Sequence, residues 1–182
     1  MRALELVFGI GWAAFWLYWI VAAFSTKRGR RPWSRELRIR LVLVVAVIVL
    51  TRLGVFRGHG LHTSPARAAV GLVLFALGLG FALWARRHIG RNWGTPMTQK
   101  AEPELVTSGP YGLVRHPIYS GILLGGVATA VGLDWFWLVP AALAGAYFVY
   151  SATVEERFLA EQFPERYPEY ERRTKMLVPF VL

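Results

Sequence analysis

The stretch Gly109–Gly121 (GPYGLVRHPIYSG) places three side chains that can do chemistry, Arg115, His116 and Tyr119, at the start of an apolar run. Charged groups at a bilayer boundary cost free energy unless they have a partner or a function. A pair of carboxylates, Glu155–Glu156, follows later in the chain. Two carboxylates that face one arginine and one histidine are typical of a ligand clamp; a purely structural ion pair is the alternative.

The two pieces are separated by a predicted helical hairpin. Its arms, Ile118–Leu133 and Phe136–Thr153, are of similar length and are joined by a tight turn. At about 1.5 Å per residue, each arm rises roughly 25 Å. Arms of equal rise return the chain to its starting level. We therefore expect the Glu155–Glu156 pair to lie beside the Arg115–His116 pair, on the cytoplasmic face.

The overall composition indicates a membrane protein. Of 182 residues, 55% are hydrophobic and the mean hydropathy is +0.39. The formal net charge is +10, but the basic residues lie in loops between apolar runs, as the positive-inside rule predicts, and form no nucleic-acid-binding stripe. The chain contains no cysteine, which excludes disulfides, thiolate nucleophiles and cysteine metal sites. One membrane domain over residues 1–182, with no nucleic-acid partner, is predicted.

Five apolar runs are predicted to span the bilayer as helices, since lipid tolerates only closed backbone hydrogen bonding. They are Leu4–Phe24, Leu41–Phe56, Ala66–Ala85, Ile118–Leu133 and Phe136–Thr153. We interpret the first run as a retained span and not a signal peptide, because a basic block at 27–40 follows it and resists translocation. The expected fold is an all-α integral membrane protein with about five transmembrane helices. Residues 1–85 form the N-terminal spans, and 86–182 form a loop, a helical hairpin and a cytoplasmic amphipathic tail.

The tail, Arg157–Leu182, mixes charges with aromatic residues. We expect an amphipathic cap over the site, with Pro164 and Pro168 each opening a short helical turn; an interfacial helix that only anchors the chain is the alternative. Histidines His59 and His62 occupy a glycine-rich loop without a third ligand nearby. The sequence therefore predicts no metal site.

Glycines punctuate the third and fourth predicted spans, notably Gly78, Gly80 and Gly121. Small residues let two helices pack closely in a membrane. A gap at these positions, through which a lipophilic molecule enters sideways between spans, is the alternative interpretation.

Taken together, the motifs resemble the isoprenylcysteine carboxyl methyltransferase family, within the wider group that contains the phospholipid N-methyltransferases. The family pattern is an Arg-His-Pro-x-Tyr motif, a hairpin, a Glu-Glu pair and an aromatic tail. The matching residues here are Arg115, His116, Pro117, Tyr119, Glu155, Glu156, Phe163, Tyr167 and Tyr170. The runs 89–93 (IGRNW) and 105–111 (LVTSGPY) are also similar to the family, so that the resemblance covers roughly residues 86–180.

The resemblance implies S-adenosylmethionine as methyl donor, bound at the cytoplasmic face. The composition, rich in Arg and Ala, predicts a prokaryotic inner membrane. The methionine end of this cofactor is a zwitterion, so Arg115 suits its carboxylate and Glu155 or Glu156 its ammonium group. The implied cofactor-binding residues are Tyr111, Leu113, Arg115, His116, Pro117, Tyr119, Glu155 and Glu156. The implied catalytic residues are Arg115, Glu156 and Arg173, the last as one candidate, beside Arg91, for holding an anionic acceptor.

The implied reaction is methyl transfer to a lipophilic acceptor, foremost the carboxylate of a prenylcysteine-like or isoprenoid substrate. A carboxylate is already ionised at neutral pH and needs no general base, so catalysis rests on alignment and desolvation. Three alternatives remain open: a phospholipid N-methyltransferase, an NADPH-dependent membrane reductase that uses the basic residues of the tail, and a membrane interaction protein without enzymatic activity.

Overall fold

A computed structural model describes residues 2–23, 29–30, 38, 42, 45, 49, 64–93, 99–100 and 104–181. The helices are α1 (Arg2–Ala23), α2 (Pro65–Ile89), α3 (Pro117–Gly132), α4 (Leu138–Gln162) and α5 (Arg166–Arg173). Short 3-10 turns cover Gly90–Asn92, Gly109–Gly112 and Trp135–Trp137. A two-residue antiparallel pairing joins β1 (Gly29–Arg30) to β2 (Gln99–Lys100).

The expectation of a helical membrane protein is confirmed. Three helical segments are long and apolar enough to cross a bilayer, namely Arg2–Ala22, Pro65–Ile89 and Trp135–Gln162. Helix α3 is apolar but shorter, with 16 residues. The predicted span Leu41–Phe56 lies outside the described residues except for Val42, Val45 and Val49, which are helical and exposed. The predicted count of five spans therefore rests on a segment outside the described part.

Helix boundaries follow local sequence signals. Ser64 precedes α2 and accepts a hydrogen bond on its side chain from the Arg67 backbone N–H at 3.2 Å. Pro65 and Pro117 are the first residues of α2 and α3, where the missing N–H of proline has no cost. Asp134 caps the turn between α3 and α4 by accepting from the Phe136 N–H at 2.9 Å. A side-chain cap thus fixes the turn between the two arms of the hairpin.

Helices α2 and α3 meet backbone to backbone along a seam of glycines. A Cβ atom on Gly121 would lie 2.5 Å from the carbonyl oxygen of Gly78, and one on Gly71 would lie 2.5 Å from the Cα of Gly132. Close packing is therefore confirmed at Gly78 and Gly121, and the alternative of an entry gap at these two glycines is wrong. Gly80 has open space around its Cα.

Helix α1 covers this seam with aromatic side chains. The Trp12 indole N–H donates to the Thr129 hydroxyl at 3.1 Å, and its ring lies against Gly125. Phe8 and Phe75 pack with ring centroids 4.8 Å apart. These rings belong to the main apolar core, which links α1, α2 and α3.

A buried arginine clasps the ends of α1 and α2. Arg86 is only 3% exposed, and its guanidinium donates to the carbonyl oxygens of Ala22 at 2.7 Å and Gly90 at 2.8 Å. It also lies over the Trp93 ring, 4.7 Å from the centroid. Both helices end here, and helix carboxyl ends carry partial negative charge. Arg86 therefore fixes α1 against the helix that leads towards the motif loop.

Candidate functional site

A turn that begins at Gly109 positions the motif at the start of α3. Gly109 has φ of 60°, and a Cβ atom there would lie 2.7 Å from the His88 ring. His88 in turn hydrogen-bonds the Ser108 hydroxyl at 3.0 Å. Only glycine suits this conformation and this close approach. The turn buries Tyr111 and sends the chain on to Arg115.

The hairpin brings the arginine and one carboxylate together, as the sequence predicts. Arg115 and Glu156 form a bidentate ion pair, with Nε–Oε1 at 2.7 Å and Nη2–Oε2 at 3.2 Å. The side chains are only 10% and 11% exposed. Arg115 Nη1 also donates to the backbone carbonyls of Thr174 and Glu171. The guanidinium is thus surrounded by acceptors from the protein itself.

The histidine lies between both carboxylates. His116 Nε2 is 3.1 Å from Glu156 Oε1, and its Nδ1 is 3.7 Å from Glu155 Oε2. Tyr119 donates its hydroxyl to Glu155. The Glu155 side chain is 27% exposed, more than twice the value for Glu156. The two acids therefore differ: Glu156 is enclosed by Arg115 and His116, whereas Glu155 lies at the more exposed side of the cluster.

Charge keeps the arginine ionised despite its burial. Burial alone lowers the pKa of Arg115, but the hydrogen bond and negative charge of Glu156 outweigh it and raise the pKa above its ordinary value. For the phenols of Tyr111, Tyr167 and Tyr170, burial has the opposite effect and raises the pKa. These phenols remain neutral at physiological pH and act as hydrogen-bonding or packing groups.

Three rings stack as a flat wall beside the carboxylates. The His116 and Tyr119 rings lie 5.5 Å apart with an interplanar angle of 5°, and Tyr119 and Phe148 lie 4.5 Å apart with the same angle. Pro117 starts α3 between the histidine and the tyrosine, so that both rings project from one helix end. Another planar group can bind to this stack, either at the edges of the rings or against an outer ring face.

A segment of the tail, Thr174–Leu177, closes the cluster from a third side; we call it the strap. Its carbonyls accept from the backbone N–H of Arg115 at 2.8 Å and of His116 at 3.0 Å, and from the Ser120 hydroxyl at 2.6 Å. No sequence pattern indicated the strap. It uses backbone carbonyls, which every residue carries, so no residue type marks it.

Helix α5, which leads directly into the strap, is fixed to the motif loop and to α4. Tyr170 donates its hydroxyl to the Tyr111 carbonyl at 2.6 Å, and Tyr167 is 2% exposed. Both rings pack with Leu105, Leu159 and Phe163 in a second apolar cluster. Pro164 opens the helical turn that the Tyr167 N–H closes on the Phe163 carbonyl at 2.9 Å, as expected. Pro168 does not open a turn of its own, because it is the third residue of α5, which begins at Arg166.

Two of the implied site residues lie away from the cluster. Arg173 is 74% exposed and pairs with Glu169 on the outer face of α5. Leu113 is 53% exposed in the motif loop. Arg91 lies in the 3-10 turn that follows α2. The predicted clamp thus gathers Arg115, His116 and the two glutamates, together with the Tyr119 ring, and leaves Arg173 outside.

The histidines considered for a metal lie outside the described residues, at positions 59 and 62. Within the ranges that the structure describes, no group of three or more His, Cys, Asp or Glu side chains is arranged to hold a metal ion.

The sequence matches known proteins along most of this architecture. Residues 66–166 match the family model for phospholipid methyltransferases. The cobalt-zinc-cadmium resistance protein CzcN of Cupriavidus metallidurans is 38% identical over 148 residues, which cover 78% of this chain and 63% of that protein. This chain therefore spans less than two thirds of that relative.

Two further relatives are named for the group they methylate. Protein-S-isoprenylcysteine O-methyltransferase B of Arabidopsis thaliana is 38% identical over 80 residues, 43% of this chain and 41% of that protein. Methanethiol S-methyltransferase 2 of Bradyrhizobium diazoefficiens is 32% identical over 116 residues, 58% and 36% respectively. The resemblance inferred from the motifs is confirmed. Because the family match covers more than half of the chain, this protein belongs to the phospholipid methyltransferase family.

Proposed function

We propose that this protein is an integral membrane methyltransferase that uses S-adenosylmethionine to methylate a lipophilic acceptor. One observation carries the proposal. The motif and the acid pair both lie within the matched residues 66–166, and the fold closes them into one cluster of an arginine, a histidine and two carboxylates. The relatives named as isoprenylcysteine and methanethiol methyltransferases support the same reaction class.

The cluster has the chemistry that the cofactor requires. S-adenosylmethionine carries an ammonium group, a carboxylate and a planar adenine. Glu155, at the open side, suits the ammonium group, and the edge of the His116–Tyr119 stack suits the adenosine. Tyr111 in the motif loop and Pro117 at the start of α3 complete the proposed cofactor-binding set, and Leu113, which is exposed, stays a prediction from the sequence. When bound, the cofactor supplies an activated methyl group.

We assign Arg115 first to holding the site together. Its donors already meet Glu156 and two backbone carbonyls, so a cofactor carboxylate gains a two-pronged contact only if these acceptors are released. Direct binding of the cofactor carboxylate by Arg115 stays the alternative. Glu156 then serves as the anion that keeps Arg115 and His116 oriented.

The protein's part in the reaction is alignment and exclusion of water. A carboxylate acceptor is ionised at neutral pH, so no side chain has to remove a proton from it. The strap and α5 cover the cluster on one side, which raises the strength of every charge interaction inside it.

We propose a prenylcysteine-like or isoprenoid carboxylate as the acceptor, because long apolar helices surround the site and one relative is named for isoprenylcysteine. Arg173 remains our candidate for holding an anionic acceptor, although it requires a change of side-chain rotamer away from Glu169. We place the site on the cytoplasmic face because the basic residues lie in the loops assigned to that side. We place the protein in a prokaryotic inner membrane because its composition is rich in Arg and Ala.

The proposal is tested by ligand titration. We expect S-adenosylhomocysteine to raise the thermal midpoint of the detergent-solubilised protein, and Glu155→Gln to weaken that shift. The exposed Glu161→Gln is the matched control, which should leave the shift unchanged. Stabilisation by NADPH alone would support the reductase alternative and overturn the proposal.

The acceptor is identified by transfer of labelled methyl from S-adenosylmethionine to a membrane extract. A base-labile product indicates a methyl ester, and a base-stable product in lipid indicates N-methylation. Absence of label in every fraction, with S-adenosylhomocysteine bound, would count against activity.

A further inference from the structure

The residues after the strap change abruptly from buried to exposed. Leu177 is 4% exposed and belongs to the main apolar core, whereas Val178 is 48%, Val181 75% and Phe180 96% exposed. This run contains no charged side chain. Water is an unfavourable environment for a fully exposed phenylalanine with exposed valines on either side. We call residues 178–181 the apolar run.

Basic side chains immediately precede the apolar run. Arg172, Arg173 and Lys175 are all exposed, and of these Arg173 pairs with Glu169. A cluster of cations next to an aromatic and aliphatic segment is the arrangement that binds the headgroup region of an anionic leaflet. The charge of this end of the chain therefore complements a membrane surface.

The strap places the apolar run at the level where the hairpin enters the bilayer. The Leu177 carbonyl accepts from Ser120, in the first turn of α3. Val149 and Tyr150, on the spanning segment Trp135–Gln162 within two turns of Glu155, are also exposed apolar residues. The same end of the molecule thus presents apolar side chains both from a spanning segment and from the run that follows the strap.

We propose that residues 178–181 dock into the headgroup–acyl boundary of an anionic leaflet, and that this contact holds the strap against Arg115 and His116. The strap has two supports within the protein: the Tyr170 carbonyl of α5, which accepts from the Thr174 N–H and hydroxyl, and the N–H groups of the motif. Lipid docking adds a third support on the opposite side. The completeness of the site then depends on the membrane surface. This inference does not rest on the proposed methyl transfer.

The docking half is tested by depth measurement on single-cysteine variants, because the chain has no cysteine of its own. Phe180→Cys is labelled with an environment-sensitive fluorophore in nanodiscs that hold one copy and contain anionic phosphatidylglycerol. We expect blue-shifted emission, quenching by nitroxide-labelled lipid and little quenching by iodide. The exposed Glu165→Cys is the matched control and should show the reverse.

Two outcomes overturn docking. Iodide quenching at position 180 equal to that at position 165 would place the apolar run in water. A blue shift that occurs only when nanodiscs hold two copies would assign the surface to a second copy of the chain and not to lipid.

The coupling half has a direct reporter, since the backbone N–H groups of Arg115 and His116 bond to the strap. We expect the double variant Phe180→Ser, Val181→Ser to speed hydrogen exchange at these two amides in anionic nanodiscs. The Leu133 amide, which bonds to Thr129 at the far end of α3, is the internal control. Unchanged exchange at Arg115 and His116, with Phe180 in lipid, would overturn the coupling.

Discussion

Helix α3 is held by one kind of contact along its length and by another at its beginning. Along its length, α3 meets α2 through glycine backbones, and α1 covers the seam with Trp12. At its beginning, Arg115 and His116 are held by a carboxylate pair and by the carbonyls of the strap. The seam depends on shape and dispersion, which tolerate no added atoms. The polar end depends on directional contacts, which a bound ligand can rearrange without moving the helices.

The largest expected effect comes from the polar end. Glu156→Ala removes the anion between two buried groups and leaves Arg115 without its partner, which we expect to cost about 3–5 kcal/mol of unfolding free energy. Chemical unfolding in detergent micelles measures this. Glu171→Ala is the control, because Glu171 is 51% exposed and 3.9 Å from Arg115 Nη2; we expect a loss below about 1 kcal/mol. Equal losses would contradict the distinction between enclosed and exposed acids.

The next effect concerns the junction of α1 and α2, where a cation sits inside an apolar core. Arg86→Met removes two charged hydrogen bonds to the carbonyls of Ala22 and Gly90, and we expect a loss of about 3 kcal/mol. Arg87→Met is the matched neighbour. Arg87 is exposed and only lies over the Tyr18 ring at 5.8 Å, so its loss should be about 0.5 kcal/mol. A similar loss for both variants would show that positive charge near the helix ends, and not the hydrogen bonds of Arg86, contributes the stability.

A third change adds one methyl group to the seam. In Gly121→Ala the new Cβ would lie 2.5 Å from the Gly78 carbonyl and 2.7 Å from the Ala82 nitrogen, so the helices must separate; we expect a loss of about 2 kcal/mol. Gly80→Ala meets open space on the same helix pair and should be neutral or stabilising by up to about 1 kcal/mol. Thermal unfolding of the two variants side by side distinguishes close packing from helix propensity.

The smallest expected effect removes one hydroxyl between α5 and the motif loop. Tyr170→Phe loses the bond to the Tyr111 carbonyl, which we expect to contribute about 1 kcal/mol. Because burial raises the pKa of Tyr170 above that of a free phenol, this contribution is full below about pH 10 and is lost as the pH rises through the folded-state pKa. Tyr150→Phe, at an exposed position, is the control. A loss that grows between pH 6 and about pH 9 would contradict this assignment.

The sequence predicted which residues meet at the polar end of α3, but not how each of them is packed. Spacing alone indicated that Glu155 and Glu156 return to Arg115 and His116, because two helices of similar rise bring the chain back to one level. It did not separate the two acids. Which carboxylate is enclosed depends on the rotation of α4 about its axis, and that rotation is decided by packing against α3. The second arm also runs on as helix to Gln162, beyond the predicted end at Thr153.

For the glycine seam, the sequence left two interpretations open and the structure decides between them. Gly78 and Gly121 fit both close packing and an entry gap, since a glycine in sequence specifies only the absence of a side chain. Contact between the two backbones decides for close packing.

The sequence by itself determined the apolar helices, the positions of their proline and serine starts, and the family to which the motif and acid pair belong. These follow from hydropathy, local capping and residue identity, which are properties of short segments. The tertiary structure alone decided that the strap closes the cluster, that Arg86 joins two helix ends, and that Arg173 lies outside. These contacts use backbone carbonyls or side-chain directions, and neither is encoded at a single position, so they exist only when distant segments are packed together.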